Sequence, residues 1–201
     1  MDYITNIAGH ELEYIDAGHL YLIDGILVPS ITQILAHEFG SKYDHVDRIT
    51  LQNASEKGTA VHEAIERFCE TGEDDPVLRE LRNFKWLQRE YKFEVLRNEV
   101  PVILFGEDGE PIAAGRLDMV IRDENGAIGL ADVKRTSKLD KAYLFYQLNL
   151  YRIAYEQDYG EKITFLRGIH LREDTRKYVK IGLGDDFPRE LIKEYYQEVK
   201  K

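Results

Sequence analysis

The chain has 201 residues, of which 43% are hydrophobic and 32% are charged, so it can bury one sizeable core but is too short for two of average size. Its 27 basic and 37 acidic residues give a formal net charge of −10, which opposes binding to a phosphate backbone, although carboxylates that hold divalent cations count as negative in this sum. No window is apolar enough to span a membrane, and Cys69 is the single cysteine, which excludes an internal disulfide, a cysteine-ligated zinc and a four-cysteine iron–sulfur cluster.

Residues 1–92 are predicted to form an N-terminal hairpin and a helical segment within a single domain spanning 1–201. The first residues lack the basic and apolar stretches of a secretory signal, so we expect a cytoplasmic protein without a membrane partner. Apolar and polar residues alternate over 20–27 around an Asp-Gly turn, which predicts a small hairpin. Ser30 is the expected cap of a first helix. A second helix is predicted over 59–72, and a third begins at an Asp-Pro pair at 75–76.

Residues 93–201 are predicted to form the sheet core on which the N-terminal part packs. Short alternating runs separated by turn residues predict strands, and a longer segment with helical spacing interrupts them. This order predicts an α/β (α+β) domain with a mixed central sheet flanked by helices. The predicted strands are 94–96, 100–104, 112–121, 127–134, 163–171 and 178–183, and the predicted helices are 141–159 and one from about 188.

Two charged residues two positions apart, Asp132 and Lys134, lie on one predicted strand. Side chains alternate across a strand, so both point to the same face while Val133 points to the other. The turn at 123–126 would fold the preceding strand antiparallel beside this one, which brings Asp118 next to Asp132. Two converging carboxylates are typical ligands of Mg²⁺ or Mn²⁺, and Lys134 could stabilise charge or position an attacking water. A triplet of this kind is common, however, and alone predicts little.

The triplet belongs to a longer ordered series that resembles the PD-(D/E)xK nuclease superfamily, in its RecB-like and phage exonuclease branch. The resemblance covers about 58–155, and it implies a restriction-endonuclease-like fold. Members that carry an iron–sulfur cluster use four cysteines, so the chain resembles those without one. The matching residues are Gly58 to His62 with Glu66, then Glu99, Gly115 to Asp118, Asp132 to Lys134, and Gln147 with Tyr151.

The resemblance implies a role for each matching residue. Lys134 would be the catalytic lysine, acting with Asp132, Asp118 and Glu99. The metal ligands would be His62, both aspartates and the main-chain carbonyl of Val133, with Mg²⁺ as the cofactor and Mn²⁺ as a substitute. Gln147 and Tyr151 would contact DNA or order the lysine. Other interpretations stay open, because His62 could be a half-buried histidine, Glu66 its ion-pairing neighbour and Tyr151 part of the core.

Substrate binding is expected next to the triplet, from Arg135 and Thr136, with Ser137, Lys138 and Lys141 completing a basic rim. A second basic cluster is expected near the last hairpin. Either group could equally be an ordinary solvated face. The residues of the second cluster are Arg167, Arg172, Arg176 and Lys177.

The expected function is metal-dependent hydrolysis of phosphodiester bonds in DNA, as an exonuclease acting on DNA ends in recombination, repair or phage replication. This assignment to DNA ends rests on the resemblance, which also implies a bacterial or phage-infected cytoplasm. DNA is the expected partner, with a homo-oligomer and a recombination or single-strand annealing protein as further expectations. Two alternatives remain: a structure-specific or single-strand endonuclease, and a non-catalytic nucleic-acid-binding module of the same fold.

Overall fold

The computed structural model describes residues 2–40 and 48–199. These residues form nine strands and five helices, arranged as two sheets with helices on both faces of the larger one. The fold is therefore α+β, as the order of the predicted elements indicated. No helix within the described ranges is long and apolar enough to cross a membrane.

The N-terminal sheet consists of four antiparallel strands in chain order, which is twice the predicted hairpin. Its first pair turns at Ala8 and Gly9, both with positive φ, and its last pair turns at the predicted Asp24-Gly25. The inner face of the sheet packs against Ile103 of the second sheet. The strands are β1 (Tyr3–Ile7), β2 (His10–Ile15), β3 (Leu20–Ile23) and β4 (Ile26–Val28).

The first helix, α1 (Ile31–Phe39), begins where the sequence predicts it. The Ser30 hydroxyl accepts a hydrogen bond from the Gln33 backbone N–H at 3.0 Å, and the Gln33 side chain accepts one from the Ser30 backbone N–H at 2.8 Å. This reciprocal pair satisfies two backbone donors at the helix start. Ile31 is fully buried and joins the main core.

The next two helices differ from the prediction at their starts. Helix α2 (Arg48–Thr71) begins eleven residues before the expected position and ends, as predicted, before Gly72, whose φ is 75°. Helix α3 (Arg79–Glu90) begins later than expected. The Asp75 carboxylate accepts from the backbone N–H groups of Val77 and Leu78, so the Asp-Pro pair caps a separate turn rather than the helix.

The central sheet has five strands in chain order and is mixed, because its third and fourth strands run parallel and the other neighbours antiparallel. The two segments predicted at 94–96 and 100–104 form one long strand. The strands are β5 (Glu94–Phe105), β6 (Pro111–Arg122), β7 (Ile128–Lys134), β8 (Phe165–Leu171) and β9 (Arg176–Ile181).

Two layers of helices cover this sheet. Helix α4 (Lys141–Tyr159), which has its predicted bounds, packs with α1 and with α5 (Asp186–Val199) on one face. Helices α2 and α3 pack on the other face. Side chains of β7 therefore alternate between the two layers. Leu130 packs in the α4 layer, and Ala131 and Val133 pack in the α2–α3 layer.

Strand β5 lies at an edge of the central sheet, and side chains from the end of α4 bind its outer backbone groups. The Asp158 carboxylate accepts from the Ile103 N–H at 2.8 Å, and the Tyr159 hydroxyl donates to the Pro101 carbonyl at 2.9 Å. The Gln157 amide both accepts from and donates to Phe105. These contacts satisfy backbone groups that an edge strand leaves unpaired.

Candidate metal and active site

Asp132 and Lys134 share one face of β7, as their spacing predicts. The Lys134 ammonium lies 2.8 Å and 2.7 Å from the two oxygens of Asp132, and the aspartate is almost fully buried. Burial raises the pKa of Asp132, against the opposing effect of the nearby ammonium. Burial also disfavours the charged form of Lys134, but the carboxylates of Asp132 and Asp118 outweigh it and raise its pKa, so the lysine stays charged.

Asp118 reaches the same place from β6. Strands β6 and β7 pair antiparallel, with Met119 opposite Ala131. The Asp118 carboxylate accepts a hydrogen bond from the Val133 backbone N–H at 2.7 Å. This bond fixes one oxygen of Asp118 against the peptide that joins Asp132 to Val133, so the two aspartates converge as expected.

His62 comes from α2, on the other side of the sheet. Its Nε2 donates to the Val133 carbonyl at 3.0 Å, and its Nδ1 lies 3.7 Å from carboxylate oxygens of both Glu99 and Asp118. Burial lowers the pKa of His62, but these carboxylates outweigh it and raise the pKa to about 9. A metal ion at this place would have to displace a proton from the ring.

Glu99 sits on β5 in an uncommon backbone conformation, with a φ of 47°. Such conformations cost free energy in residues other than glycine, so surrounding contacts must hold them. Here the Arg116 Nε lies 2.6 Å from a Glu99 oxygen, and the guanidinium lies over the Tyr14 ring, 5.5 Å from its centroid. Arg116 therefore holds Glu99 towards His62 and Asp118.

His62, Glu99 and Asp118 each offer a ligand atom within 4.8 Å of the others. One imidazole nitrogen and two carboxylate oxygens, with water completing the shell, are a donor set that fits a divalent cation such as Mg²⁺ or Mn²⁺. This group contains Glu99 in the place where the sequence suggested Asp132. Asp132 lies beside the group and is paired with Lys134, and the Val133 carbonyl, also expected as a ligand, accepts from His62.

A cavity of about 780 Å³ opens beside this group and extends to the N-terminal sheet. Gln147 and Tyr151 of α4 line it and are both 4% exposed. The Tyr151 ring packs directly on Gly115, where a Cβ atom would lie 2.8 Å from its Cε1. Glycine is therefore required at 115 for Tyr151 to reach the cavity.

Glu66, whose role the sequence left open, also lines the cavity. It lies one helical turn after His62, as the spacing predicts. Burial and the neighbouring Glu99 raise its pKa. Glu66 therefore faces the site rather than solvent.

Arg135 does not belong to an exposed basic rim. Its Nε donates to the buried Glu80 of α3 at 2.7 Å, because residue 135 points away from the face that carries Asp132 and Lys134. The Thr136 hydroxyl donates to the Lys138 carbonyl at 2.9 Å, and the Thr136 carbonyl is bonded to His170. Arg135 and Thr136 therefore both stabilise the segment that follows β7.

Two members of the second basic cluster are also engaged within the protein. The Arg176 guanidinium lies 4.0 Å from the centroid of the Trp86 ring. Arg167 lies 4.8 Å from the Phe165 centroid and 5.3 Å from that of Tyr178. Cations over aromatic faces stabilise the folded chain, so Arg167 and Arg176 have a packing role, while Arg176 and Lys177 also remain exposed.

The sequence did not single out several residues that line the cavity, among them Arg116, Tyr3 and His19. Arg116 could have been found, because it lies inside the Gly115 to Asp118 motif. Tyr3 and His19 could not, because they reach the site only through the packing of one sheet on another.

No protein-family model and no curated protein sequence matches the chain. Among solved structures, one described as "Crystal structure of SSO0001" is similar, with a TM-score of 0.48 and 13% sequence identity over 85% of this chain and 75% of that chain.

Proposed function

We propose that the chain is a metal-dependent nuclease that hydrolyses phosphodiester bonds in DNA, acting on DNA ends. The observation that carries the proposal is the convergence of a charged lysine, a buried aspartate and a three-residue ligand group around one residue of β7, Val133. Lys134 lies within 2.8 Å of Asp132, and the two backbone groups of Val133 bind Asp118 and His62. A purely structural core does not need this collection of charges.

Each group has a chemical role in the proposed reaction. A water molecule attacks phosphorus and releases one proton, the bond from phosphorus to the leaving oxygen breaks, and the leaving oxygen takes up one proton. The Lys134 ammonium stabilises negative charge on the phosphoryl oxygens and positions the water, while Asp132 orients the ammonium. His62, Asp118 and Glu99 would hold a divalent cation, which when bound would supply Lewis acidity and lower the pKa of a water molecule.

The charge of the cavity supports the dependence on a metal. Six carboxylate residues line it, and Arg116 is its one lysine or arginine among the described lining residues. A phosphodiester would be repelled from such a surface unless bound cations neutralised part of it. The carboxylates are those of Asp2, Asp16, Glu63, Glu66, Glu99 and Asp118.

The shape of the cavity supports action at an end. The N-terminal sheet closes one side, where Tyr3 and Tyr21 line the wall. A strand end can be accommodated against a wall more easily than a continuous duplex that must pass through. We further propose a bacterial or phage-infected cytoplasm as the setting, with a recombination or single-strand annealing protein as partner and a homo-oligomer as the active form.

The proposal is tested by incubating end-labelled linear DNA and closed circular DNA with Mg²⁺, with Mn²⁺ and with EDTA. Wild-type protein is compared with Lys134→Ala and with the matched control Lys162→Ala, which removes an exposed lysine before β8. We expect metal-dependent loss of the linear DNA alone, abolished only by Lys134→Ala.

Other outcomes would redirect the assignment. Cutting of the circle would identify an endonuclease. Failure to cut either DNA with either metal would overturn the proposal, and DNA binding under the same conditions would then identify a non-catalytic binding module.

A further inference from the structure

The cavity beside the ligand group continues beyond what catalysis requires. From His62 and Asp118 it extends to Tyr3, His19 and Tyr21 of the N-terminal sheet. Its volume of about 780 Å³ lies in the range of sites that hold a small organic ligand. The distal part, walled by Tyr3, His19 and Tyr21, is called the aromatic wall below.

The aromatic wall belongs to a row of contacting rings that are tilted against one another. Tyr3 pairs with Tyr14 across β1 and β2, and Tyr14 pairs with Tyr21 across β2 and β3. The ring centroids are 5.3 Å and 4.9 Å apart. Because each ring is held by its neighbour on the next strand, the wall is rigid and keeps its shape without a ligand.

His19 forms the open end of this wall. Its Nδ1 is bonded to the Tyr14 hydroxyl at 2.8 Å, and its ring stands edge-on to Tyr14 and Tyr21, at 86° and 89°. Its φ is 55°, an uncommon value for histidine that the turn after β2 imposes. A flat ring held in this way at a cavity mouth can stack on another flat ring.

Two buried polar atoms of residues that line the cavity have no hydrogen-bond partner among the described residues. They are the Oε1 of Gln147, whose residue is 4% exposed, and the hydroxyl of Tyr3. Buried polar groups are normally hydrogen-bonded, so unpartnered ones on residues that line a cavity point to a ligand. Gln147 Oε1 can only accept, so that ligand must donate a hydrogen bond.

The charges of the cavity restrict the ligand further. Asp2 and Asp16 lie at the distal end and Glu63 and Glu66 on α2, while the Arg116 guanidinium is already paired with Glu99. Such a surface repels phosphates away from a bound cation and favours a neutral group with N–H donors. Among the parts of a nucleotide, only the base has these properties.

We propose that the aromatic wall is a subsite for the unpaired base of the nucleotide whose phosphate lies at the His62, Glu99 and Asp118 group. The subsite favours bases with an exocyclic amino group, which are adenine, cytosine and guanine, over thymine. Thymine has one N–H donor, at N3, between two carbonyl oxygens and no amino group, so it would place two acceptors against carboxylates and Gln147 for each donor. This inference rests on the proposed function, because it takes the ligand to be DNA.

The test measures binding without cleavage. Internally labelled single-stranded octamers of dC and of dT are titrated with protein in Ca²⁺, and fluorescence anisotropy gives the Kd of each. The wild type should bind the dC octamer several-fold more tightly than the dT octamer. His19→Ala should weaken dC binding by about tenfold, the loss expected from one base stack.

The matched control is His10→Ala, which removes a histidine of the same sheet whose ring is bonded to Asp24 and does not line the cavity. His10→Ala should leave both Kd values unchanged. Tyr3→Phe keeps the ring and removes the unpartnered hydroxyl, so it should reduce the preference for dC while leaving the melting temperature unchanged.

The outcomes separate this inference from the proposed function. Equal binding of both octamers, or dC binding that His19→Ala and Tyr3→Phe leave intact, would overturn the base subsite even if the protein cleaves DNA. A dC preference that depends on His19, in a protein that cleaves nothing in Mg²⁺ or Mn²⁺, would support the subsite and overturn the nuclease.

Discussion

Two buried pairs of a carboxylate and a cation lie at the end of β7, one on each face of the sheet. Lys134 binds Asp132 on the face of α4, and Arg135 binds Glu80 of α3 on the other face. The two pairs have similar lengths, 2.7 Å each, and both acids are almost fully buried. Burial and ion pairing are therefore not enough to identify a functional residue.

The surroundings separate the two pairs. Beside Lys134 lie further ligand atoms, from His62, Glu99 and Asp118, and the lysine itself lines a cavity of about 330 Å³ together with Thr32 and Gln147. Arg135 instead has only the exposed Glu173 as a further acidic neighbour within 4.0 Å among the described residues. An ion pair that borders further ligand atoms and a cavity can act on a ligand. An ion pair that is covered by a helix instead joins two elements of the fold.

The comparison predicts its largest effect at Arg135. Arg135→Ala leaves Glu80 buried without its cation, so the free energy of unfolding should fall by about 3–5 kcal/mol. Chemical denaturation measures this loss. The double variant Glu80→Met/Arg135→Met should recover most of it, since apolar side chains replace the whole pair. Equal instability in both variants would show that the pair does not act as a unit.

Lys134→Ala should show the opposite profile. We expect kcat for DNA cleavage to fall by about 10²–10³-fold, because a group that stabilises the transition state is lost. The melting temperature should change little, since Asp132 has a raised pKa and can take up a proton when its partner is removed. A large loss of stability with little loss of cleavage would make the two pairs equivalent.

Arg116 and Glu99 form a pair of intermediate kind, since it borders the cavity but also supports a ligand. Arg116→Met should free Glu99 from its contact at 2.6 Å and weaken Mn²⁺ binding by about tenfold, as loss of an orienting neighbour does. Isothermal titration with Mn²⁺ measures this in the absence of DNA. Arg116→Lys keeps the charge but not the position of Nε. Its affinity for Mn²⁺ should therefore lie between those of Arg116→Met and the wild type.

Asp158 adds a carboxylate of a third kind to the comparison. Among its described hydrogen bonds, the only one is accepted from a backbone N–H, that of Ile103. Burial raises its pKa from 3.8 to about 7, and the Ile103 N–H only partly opposes this. The folded state keeps the proton to higher pH than the unfolded state, so the free energy of unfolding should fall as the pH rises from about 4 to 7. Asp158→Asn should remove this slope and stabilise the protein by about 1 kcal/mol above pH 7.

Differential denaturation at pH 5 and pH 8 checks this effect. Asn83→Asp would introduce a carboxylate elsewhere, but it is not a suitable control. The substitution would remove the hydrogen bond that the Asn83 amide donates to the Arg172 carbonyl. Asp174→Asn is the better control, since Asp174 is exposed. If Asp174→Asn and Asp158→Asn change the pH dependence equally, the burial of Asp158 is not its cause.

The sequence predicted those parts of the fold in which local signals agree. Helix α4 has its predicted bounds because Asp140 caps its start and Gly160, with a φ of 66°, ends it. The start of α2 was wrong because residues 48–58 carry no apolar stripe, and residues 52–57 are exposed, so no buried face marks the helix there. Strands β1 and β2 were missed although Leu12 and Tyr14 alternate with charged residues, a signal of a half-buried strand.

In the site, too, the sequence predicted the contacts that local signals determine and missed those that depend on tertiary packing. The spacing of Asp132 and Lys134, and the turn that returns from Asp118, fix their convergence through strand geometry alone. The pairing of Arg135 with Glu80 joins residues 55 positions apart, and no local pattern reveals such a contact. The aromatic wall likewise depends on how the N-terminal sheet packs on β5 and β6.

The contacts from the end of α4 to β5 also affect assembly. Gln157, Asp158 and Tyr159 occupy the backbone groups of 101–105 that a foreign strand would need. The end of α4 therefore binds the edge of β5 at these positions, where a sixth strand would otherwise pair. A second copy cannot extend the sheet across this boundary without first displacing it, so fibril-like growth is blocked there, and a ring of subunits would have to form through other surfaces.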